Sequence, residues 1–439
     1  GKNERPTPPH LVVLGNGGTG KSHVIDVLSQ LLQKTLSKSG DNPDDHPYIV
    51  RVAFTGNASL LIKGQTLNSV FNLPFSNDMQ SLSDKIRDMR RTTLQNLLFI
   101  ILDEISLVKS DMLYQVHFRL SREIKQINLA FGNVTTLCFG DILQIKPASG
   151  THVFDPPKGE KNYMEYLFSP LWQQLSPIIL KTNHRQGDDK VYGDICNRLR
   201  IGALTESDIT TLNSRVFPKN CPNLPDDSVF TSGTNKIVSE YNNKKLNELT
   251  TPGISFKAKV FSKTQKELKT QLPLDGGGMI KNSGLPWDIT LKIGARVSMT
   301  RNMYVIDGLV NGTMGNVVGF EMHANGKVVR FVMVKFNNPE HGKERRKKYN
   351  FESKYPGATA VEFYETEVSL RRKATATCTV INIPLRLAWG LTLHKIQGHT
   401  IEKPTALIIA LDCWLQPGMV YVGLSRAKSL SQPYILMPW

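Results

Sequence analysis

The octapeptide Gly15-Asn16-Gly17-Gly18-Thr19-Gly20-Lys21-Ser22 fits the phosphate-loop pattern G-x-x-x-x-G-K-S at every fixed position. No other stretch restricts the fold so tightly, because the pattern has meaning only between a buried strand and a helix. Both flanks comply. His10-Leu-Val-Val-Leu14 is an apolar run of strand length, and 21–36 repeats Val24, Ile25, Leu28, Leu31, Leu32 and Leu36 at helical spacing. Strand, glycine loop and helix together build a cradle in which backbone N–H groups and the positive end of the helix dipole face phosphate oxygens. Gly15, Gly17, Gly18, Thr19 and Gly20 supply the loop backbone. Lys21 is expected to reach the β/γ-phosphates of a nucleotide and Ser22 to hold Mg²⁺.

The 439 residues exceed what one hydrophobic core organises, so two or three domains are expected. The longest apolar runs, 97–102 and 406–411, are far short of a membrane span. The five cysteines, Cys138, Cys196, Cys221, Cys378 and Cys413, are odd in number and form no C-x-x-C pair. That argues against a zinc site or a disulfide framework and for a reducing, intracellular compartment; a nuclear location is a separate expectation. A net charge of +16 and a pI near 9.5 point to a polyanionic partner, nucleic acid before others.

Residues 1–180 alternate strand-like and helical stretches. Apolar runs at 49–54, 97–102 and 133–139 read as strands, and Leu113, Val116, Leu120, Ile124 and Ile127 as a helix between the last two. A parallel sheet covered on both faces by helices is the expected first domain, with a small insertion at about 72–95. From 181 the pattern restarts, with a strand at 229–231 and a helix over 235–249. Residues 250–290 are polar and turn-rich. Glycine-punctuated β-branched runs follow and read as hairpins, so 300–378 is taken as an all-β insertion. Its basic run 341–348 is read as a charged loop, with a nuclear-import or nucleic-acid role as an option. Strand character at 379–384 and 405–410 closes the second α/β domain, assigned to 181–299 and 379–439.

Leu97-Leu-Phe-Ile-Ile-Leu102 ends in Asp103-Glu104. A nucleotide hydrolase needs one carboxylate for its metal ion and another to activate water, and the end of a strand beside a phosphate loop suits both. Asp103 is assigned to Mg²⁺ and Glu104 to the base. Gln144, in Gly140-Asp141-Ile-Leu-Gln144-Ile-Lys-Pro147, is placed to sense the γ-phosphate at the same sheet edge.

These motifs, taken in order, resemble superfamily 1 helicases, and within them the Pif family of the 5′→3′ class. Ala53–Ala58 and Gly64–Phe71 resemble its first strand-binding motifs, and Leu180-Lys-Thr-Asn-His-Arg185-Gln186 its fourth. Residues 291–297 and 308–315 resemble the approach to its β-barrel. Pro384–Thr400 resembles its fifth motif, and Tyr421-Val-Gly-Leu-Ser425-Arg426-Ala427 its sixth. The likeness spans about residues 10–437 and extends to the Pif-like helicase portion of Helitron transposon proteins. It implies two tandem RecA-like domains, an SH3-like β-barrel insertion in the second, ATP and Mg²⁺ as cofactors, and single-stranded DNA and duplex junctions as partners of a monomeric motor. Arg185 and Arg426, both ascribed to the second domain, would neutralise the leaving phosphate. Gln397 and Gly398 would join the nucleotide site to the DNA path. Thr55, Gly56, Thr66 and Asn68, with Thr392, His394 and Lys395, would hold the strand through its phosphates, and Phe71 would either stack on a base or belong to the core.

Three departures accompany the resemblance. Only nine residues precede the first strand, so the family's upstream adenine-reading element is expected to be missing or truncated. Asn68 stands where His is frequent, and Ile-Lys-Pro follows Gln144 where Leu-Pro-Pro is common. Two rival readings stay open from sequence: an RNA-directed translocase, and a nucleic-acid-binding module whose ATPase has decayed.

Overall fold

A computed structural model describes residues 7–37, 46–74, 81–147, 151–156, 170–219, 221–222, 224–262, 264–281, 283–323, 326, 328–369, 377–411 and 415–437. Cys413 and parts of both sequence-read insertions lie outside them. The chain forms two compact units. The first comprises 1–214 together with 397–402 and 416–431, and the second 215–396, 403–415 and 432–439.

The first unit is built on a six-stranded sheet of β1 (His10–Gly15), β2 (Ile49–Ala53), β3 (Gln65–Thr66), β4 (Phe99–Asp103), β5 (Thr135–Gly140) and β6 (Ser176–Leu180). Their order is β3-β2-β4-β5-β1-β6, and every pairing is parallel. β4 and β5 are buried almost throughout, which is why they read in sequence as unbroken apolar runs rather than alternating ones. Because all six strands run the same way, the segments after β1, β2, β4, β5 and β6 emerge at one sheet edge. The phosphate loop, Thr55, Glu104, Asp141 and the segment leading to Arg185 are those segments.

The helix after the loop, Lys21–Leu36, buries Ile25 and Ser29 but leaves Leu31 59% exposed, so the apolar face is narrower than its spacing predicts. The expected helix at 113–127 is Ser110–Phe118 continued by a π-turn, Arg119–Ile124, and Ile127 falls beyond it. The widened turn accommodates a buried Arg119–Glu123 ion pair. Phe71, Leu102, Ile105 and Phe131 belong to the core on one face of this sheet.

The second unit contains a five-stranded sheet whose order is Gly390–Thr392, Ser228–Ser232, Ala406–Ala410, Pro433–Met437 and Val216–Pro218, again parallel throughout. The helix Asn235–Glu248 follows its second strand in this order. Antiparallel structure occupies more of this unit than expected. Gly253–Lys257 pairs with Asp288–Lys292, and Thr377–Asn382 lies between Lys259–Phe261 and Tyr364–Ser369. A five-stranded antiparallel sheet joins Thr359–Val361, Val329–Phe336, Met314–Met322, Arg296–Met299 and Leu385–Leu387. The β insertion therefore begins near Gly253 and ends near Leu387, not at 300 and 378. Residues 379–384 belong to it rather than to the parallel sheet. Short strands broken by turn residues hide in polar sequence, and an apolar run cannot announce which sheet it joins.

The basic run is a helix, Lys343–Tyr349, and not a loop. Arg345 is drawn inward, its Nε donating to Ala360 O at 2.6 Å and its guanidinium 3.0 Å from Glu362, over the rings of Tyr304 and Tyr349. Among the described residues no helix is long and apolar enough to cross a membrane. Cys138, Cys196, Cys221 and Cys378 are free thiols.

Candidate nucleotide and nucleic-acid sites

The residues assigned to the phosphate chemistry converge in the first unit. Lys21, Ser22, Asp103, Glu104, Gln144, Arg185, Gly398 and Arg426 line one cavity of about 440 Å³. The sequence reading ascribes Arg185 and Arg426 to the second domain. In the fold, 181–214 and 416–431 belong with the phosphate loop.

Lys21 Nζ donates to Gly15 O at 2.8 Å and Asn16 O at 2.9 Å, folded back along its own loop. Burial lowers its pKa, and the carboxylates of Glu104, Asp141 and Asp103 pull against that. Gly18 has φ +94, a conformation that only glycine takes without strain, and a Cβ there would lie 2.5 Å from Arg185 Cβ. The His184 N–H donates to Gly18 O at 2.8 Å, so the segment after β6 packs directly on the phosphate loop.

Arg426 follows the short helix Met419–Leu424 and is 2% exposed. Its Nε donates to Val422 O at 2.9 Å and its Nη2 to Ser425 Oγ at 2.8 Å. A helix leaves its last carbonyls without intrahelical partners. Here Tyr192 Oη donates to Leu424 O at 2.8 Å, Arg185 Nη1 to Ser425 O at 2.9 Å and Gln186 Nε2 to Ala427 O at 2.6 Å. One cationic group thus caps the helix end that presents the other. Burial and the neighbouring Arg426 push the Arg185 guanidinium down to about 9, and burial lowers Arg426 as well. Two desolvated, mutually repelling cations form a strong attractor for a polyphosphate.

Asp103 is buried, and burial together with Glu104 raises its carboxyl well above the ordinary carboxylate range. Glu104 takes a left-handed φ of 54, costly for a residue with a side chain and the kind of strain that gathers at functional sites. Gln397 Nε2 donates to Glu104 Oε2 at 3.3 Å and Ser106 Oγ at 3.2 Å. The Oε1 atoms of Gln144 and Gln397 are buried without a partner. Paired acids under electrostatic tension beside Ser22 suit a Mg²⁺ ion, which takes one or two protein oxygens plus phosphate and water. No cluster of three or more acidic, His or Cys ligands occurs among the described residues, so the phosphates would have to complete the metal's shell.

Asp141 is a site residue that sequence reasoning left unassigned. It is fully buried and receives Arg200 Nη2 at 2.7 Å and Nε at 3.0 Å, and Tyr421 Oη at 3.0 Å. Adjacency to Gln144 was its one sequence signal; Arg200, at the end of the helix Lys190–Arg200, carried none.

The strand-binding candidates divide. Thr55 and Thr66 cap short helices, their hydroxyls accepting from the N–H groups of Ala58 at 3.2 Å and Ser69 at 3.3 Å. Gly56 opens the first of these helices, Gly56–Leu61. Asn68 Nδ2 donates to Leu73 O at 3.4 Å. Phe71 is 0% exposed inside the core and has no face to offer a base, so of its two readings the core one holds and the stacking one does not. In the second unit Thr392 ends a parallel strand, buried, and its carbonyl accepts from the Lys395 N–H at 2.8 Å. His394 is half-buried, and burial lowers its pKa. Thr392 and Lys395 line a second cavity, about 640 Å³, with Asn235, Asp275, Lys292 and Arg386. Burial pushes Arg386 down to about 10 against the pull of Asp275, and its Nε lacks a partner. Sequence reasoning passed over this arginine although it lies within the fifth motif.

Family models match at two places: PIF1-like helicase over residues 4–200, and the 2B domain of DNA helicase Pif1 over 279–320. The ATP-dependent DNA helicase Pif1 of Campylobacter jejuni is 28% identical, covering 96% of this chain and 87% of that protein. The RRM3 helicase of Saccharomyces cerevisiae is 26% identical and human PIF1 25%. The chain spans 62% of the length of RRM3 and 56% of human PIF1. Among solved structures, Pif1 helicase from Candida albicans superposes with a TM-score of 0.72 at 23% identity, covering 98% of this chain and 90% of that one. Bacteroides Pif1 in complex with ADP-AlF3 and single-stranded DNA gives 0.69 at 21% identity, covering 98% and 89%. At such identities these superpositions establish the two-sheet architecture.

Proposed function

As the chain belongs to the PIF1-like helicase family, we propose that it is an ATP-dependent DNA helicase that translocates 5′→3′ on single-stranded DNA. The observation that carries this reading is the cavity of the first unit, where Lys21, the Asp103–Glu104 pair, Gln144, Arg185 and Arg426 surround a phosphate loop. A bound ATP would draw Lys21 from the Gly15 and Asn16 carbonyls onto its phosphates. Ser22 and Asp103 would hold Mg²⁺, which when bound neutralises charge on the phosphate oxygens. Glu104 would accept the proton of the attacking water. Arg185 and Arg426 would meet charge developing on the γ-phosphoryl group, the largest contribution open to a hydrolase of this kind. Gln144, with an unpartnered Oε1, and Gln397, bonded to Glu104, would report phosphate loss to the rest of the unit.

Thr55, Gly56, Thr66 and Asn68 in the first unit, and Thr392, His394, Lys395 and Arg386 in the second, would hold the strand mainly through its phosphates, independent of sequence. The net charge of +16 supports that partner. Direction of travel rests on the family resemblance alone.

The test is steady-state ATP hydrolysis with and without oligo-dT or oligo-U, beside Lys21→Ala, followed by unwinding of 5′-tailed and 3′-tailed duplexes. DNA-stimulated hydrolysis lost in Lys21→Ala, with unwinding of the 5′-tailed substrate, is the expected result. Preferential stimulation by RNA, or tight DNA binding without hydrolysis, would refute it.

A further inference from the structure

We propose that Tyr421 is a positioning residue for ATP hydrolysis, the hydroxyl through which the phosphate loop, the Asp141–Gln144 loop and the helix presenting Arg426 are held in one register, a role that rests on the ATPase reading above. The Gly17 N–H donates to Tyr421 Oη at 3.2 Å, and the same hydroxyl donates to Asp141 Oδ2 at 3.0 Å. Asp141 also accepts from the Leu143 N–H at 3.2 Å, from Gln144 Nε2 at 3.4 Å and from Arg200. The helix bearing Tyr421 starts at Gly418 against the backbone of Gln144, where a Cβ would stand 3.2 Å from the Gln144 carbonyl carbon and oxygen. At Gly17, the other end of the hydroxyl bridge, a Cβ would stand 2.9 Å from Arg426 Nη2 and 3.0 Å from Arg185 Nη1, so the loop backbone lies close against both guanidinium groups.

The phosphate loop and Asp141 are therefore each one hydrogen bond from Tyr421, Gln144 is one bond further through Asp141, and Arg426 follows the same short helix, while Tyr421 is not among the residues that line the phosphate cavity. Movement of Gln144 onto a phosphate oxygen strains its bond to Asp141. Asp141 passes that strain to Tyr421, and Tyr421 to the Gly17 peptide and to the helix five residues before Arg426. The phenol is suited to the task. Burial and the Asp141 carboxylate raise its pKa well above the ordinary tyrosine value, so the hydroxyl stays protonated and keeps donating.

The experiment is ATP hydrolysis by the full chain, with and without oligo-dT, for wild type, Tyr421→Phe, Gln144→Ala and the double variant. Tyr421→Phe keeps the ring and its packing and removes only the bridge, and its melting midpoint is read alongside. The expected result is kcat reduced about tenfold with KM for ATP within about twofold, and a smaller stimulation by DNA. The double variant should be no slower than Gln144→Ala alone, because the two residues act in series. Wild-type kcat in Tyr421→Phe, a change confined to KM, or losses that multiply in the double variant would overturn the proposal while leaving the ATPase reading intact. A wild-type chain without Lys21-dependent hydrolysis would overturn both.

Discussion

Gly17→Ala tests the arginine arrangement with a single methyl group. The new Cβ would stand 2.9 Å from Arg426 Nη2, 3.0 Å from Arg185 Nη1 and 3.5 Å from Ser425 Oγ, where ordinary contacts begin at 3.4 Å. Each guanidinium end must retreat by roughly half an ångström. Arg426 has little freedom to do so, being 2% exposed and held by Val422 O and Ser425 Oγ. Arg185 is tethered to Ser425 O at 2.9 Å. The atoms in conflict are nonetheless side-chain termini and not backbone, so folding should suffer by no more than about 1 kcal/mol, or a few degrees in Tm. Catalysis should suffer more. A misplacement of about 1 Å costs on the order of 10²-fold, so two cations displaced by half that should lower kcat by roughly 10- to 100-fold, about 1.4–2.7 kcal/mol of transition-state stabilisation. Steady-state ATP hydrolysis at saturating oligo-dT, with a thermal melt on the same preparation, reads both quantities. Wild-type kcat would show that the two arginines do not approach the reacting phosphate. A Tm lowered by ten degrees or more would show that the contact is structural.

Two further outcomes follow from burial. Phe71→Ala should cost about 3–5 kcal/mol in denaturant unfolding, with DNA affinity per folded molecule unchanged, and a loss of affinity at intact stability would restore the stacking role. Burial, and secondarily Arg426, push the imidazole of His399 down to about 4. Between about pH 6.5 and that value the unfolded chain binds a proton that the folded chain does not, so stability rises with pH across this window and is lost on acidification. The loss is about 3 kcal/mol at most, less for a side chain partly open to solvent. Urea midpoints at pH 4.5 and 7.5 should differ less in His399→Gln than in wild type, and an equal difference would exclude His399 as the source.

The legible parts of this chain were those whose physics is local. A phosphate loop needs a strand before it and a helix after it, and β4 with its terminal Asp103-Glu104 is written in six successive apolar residues, so both read directly. The strands between Gly253 and Lys292 did not, because each is short, half exposed and interrupted by turns, and is defined only by a partner elsewhere. The segment at 379–384 had the right character for a strand, yet its sheet was decided by Tyr364–Ser369 and Lys259–Phe261, which no periodicity reveals. Phe71 was ambiguous because an aromatic spaced for a core and one spaced for stacking look alike. Asp141, Arg200 and Tyr421 are distant in sequence and meet only once the fold brings them together, which is why an obligatory buried network left so little trace in the string.

The first unit takes its residues from three separate stretches of chain, with Arg426 and Gly17 among the last and first to be made. A ribosome that has delivered the phosphate loop, the acids and even Arg185 has still not delivered Gln397, Tyr421 or Arg426. The nascent chain must therefore hold an unfinished pocket, with Asp141 and the Gly17 peptide lacking their tyrosine, until synthesis has passed residue 426 and the returning segments arrive. Such late, long-range closure is slow by topology, and it makes the competent ATP site one of the last features of the molecule to exist. A chain interrupted anywhere between residues 215 and 396 would carry the phosphate loop without Gln397, Tyr421 or Arg426.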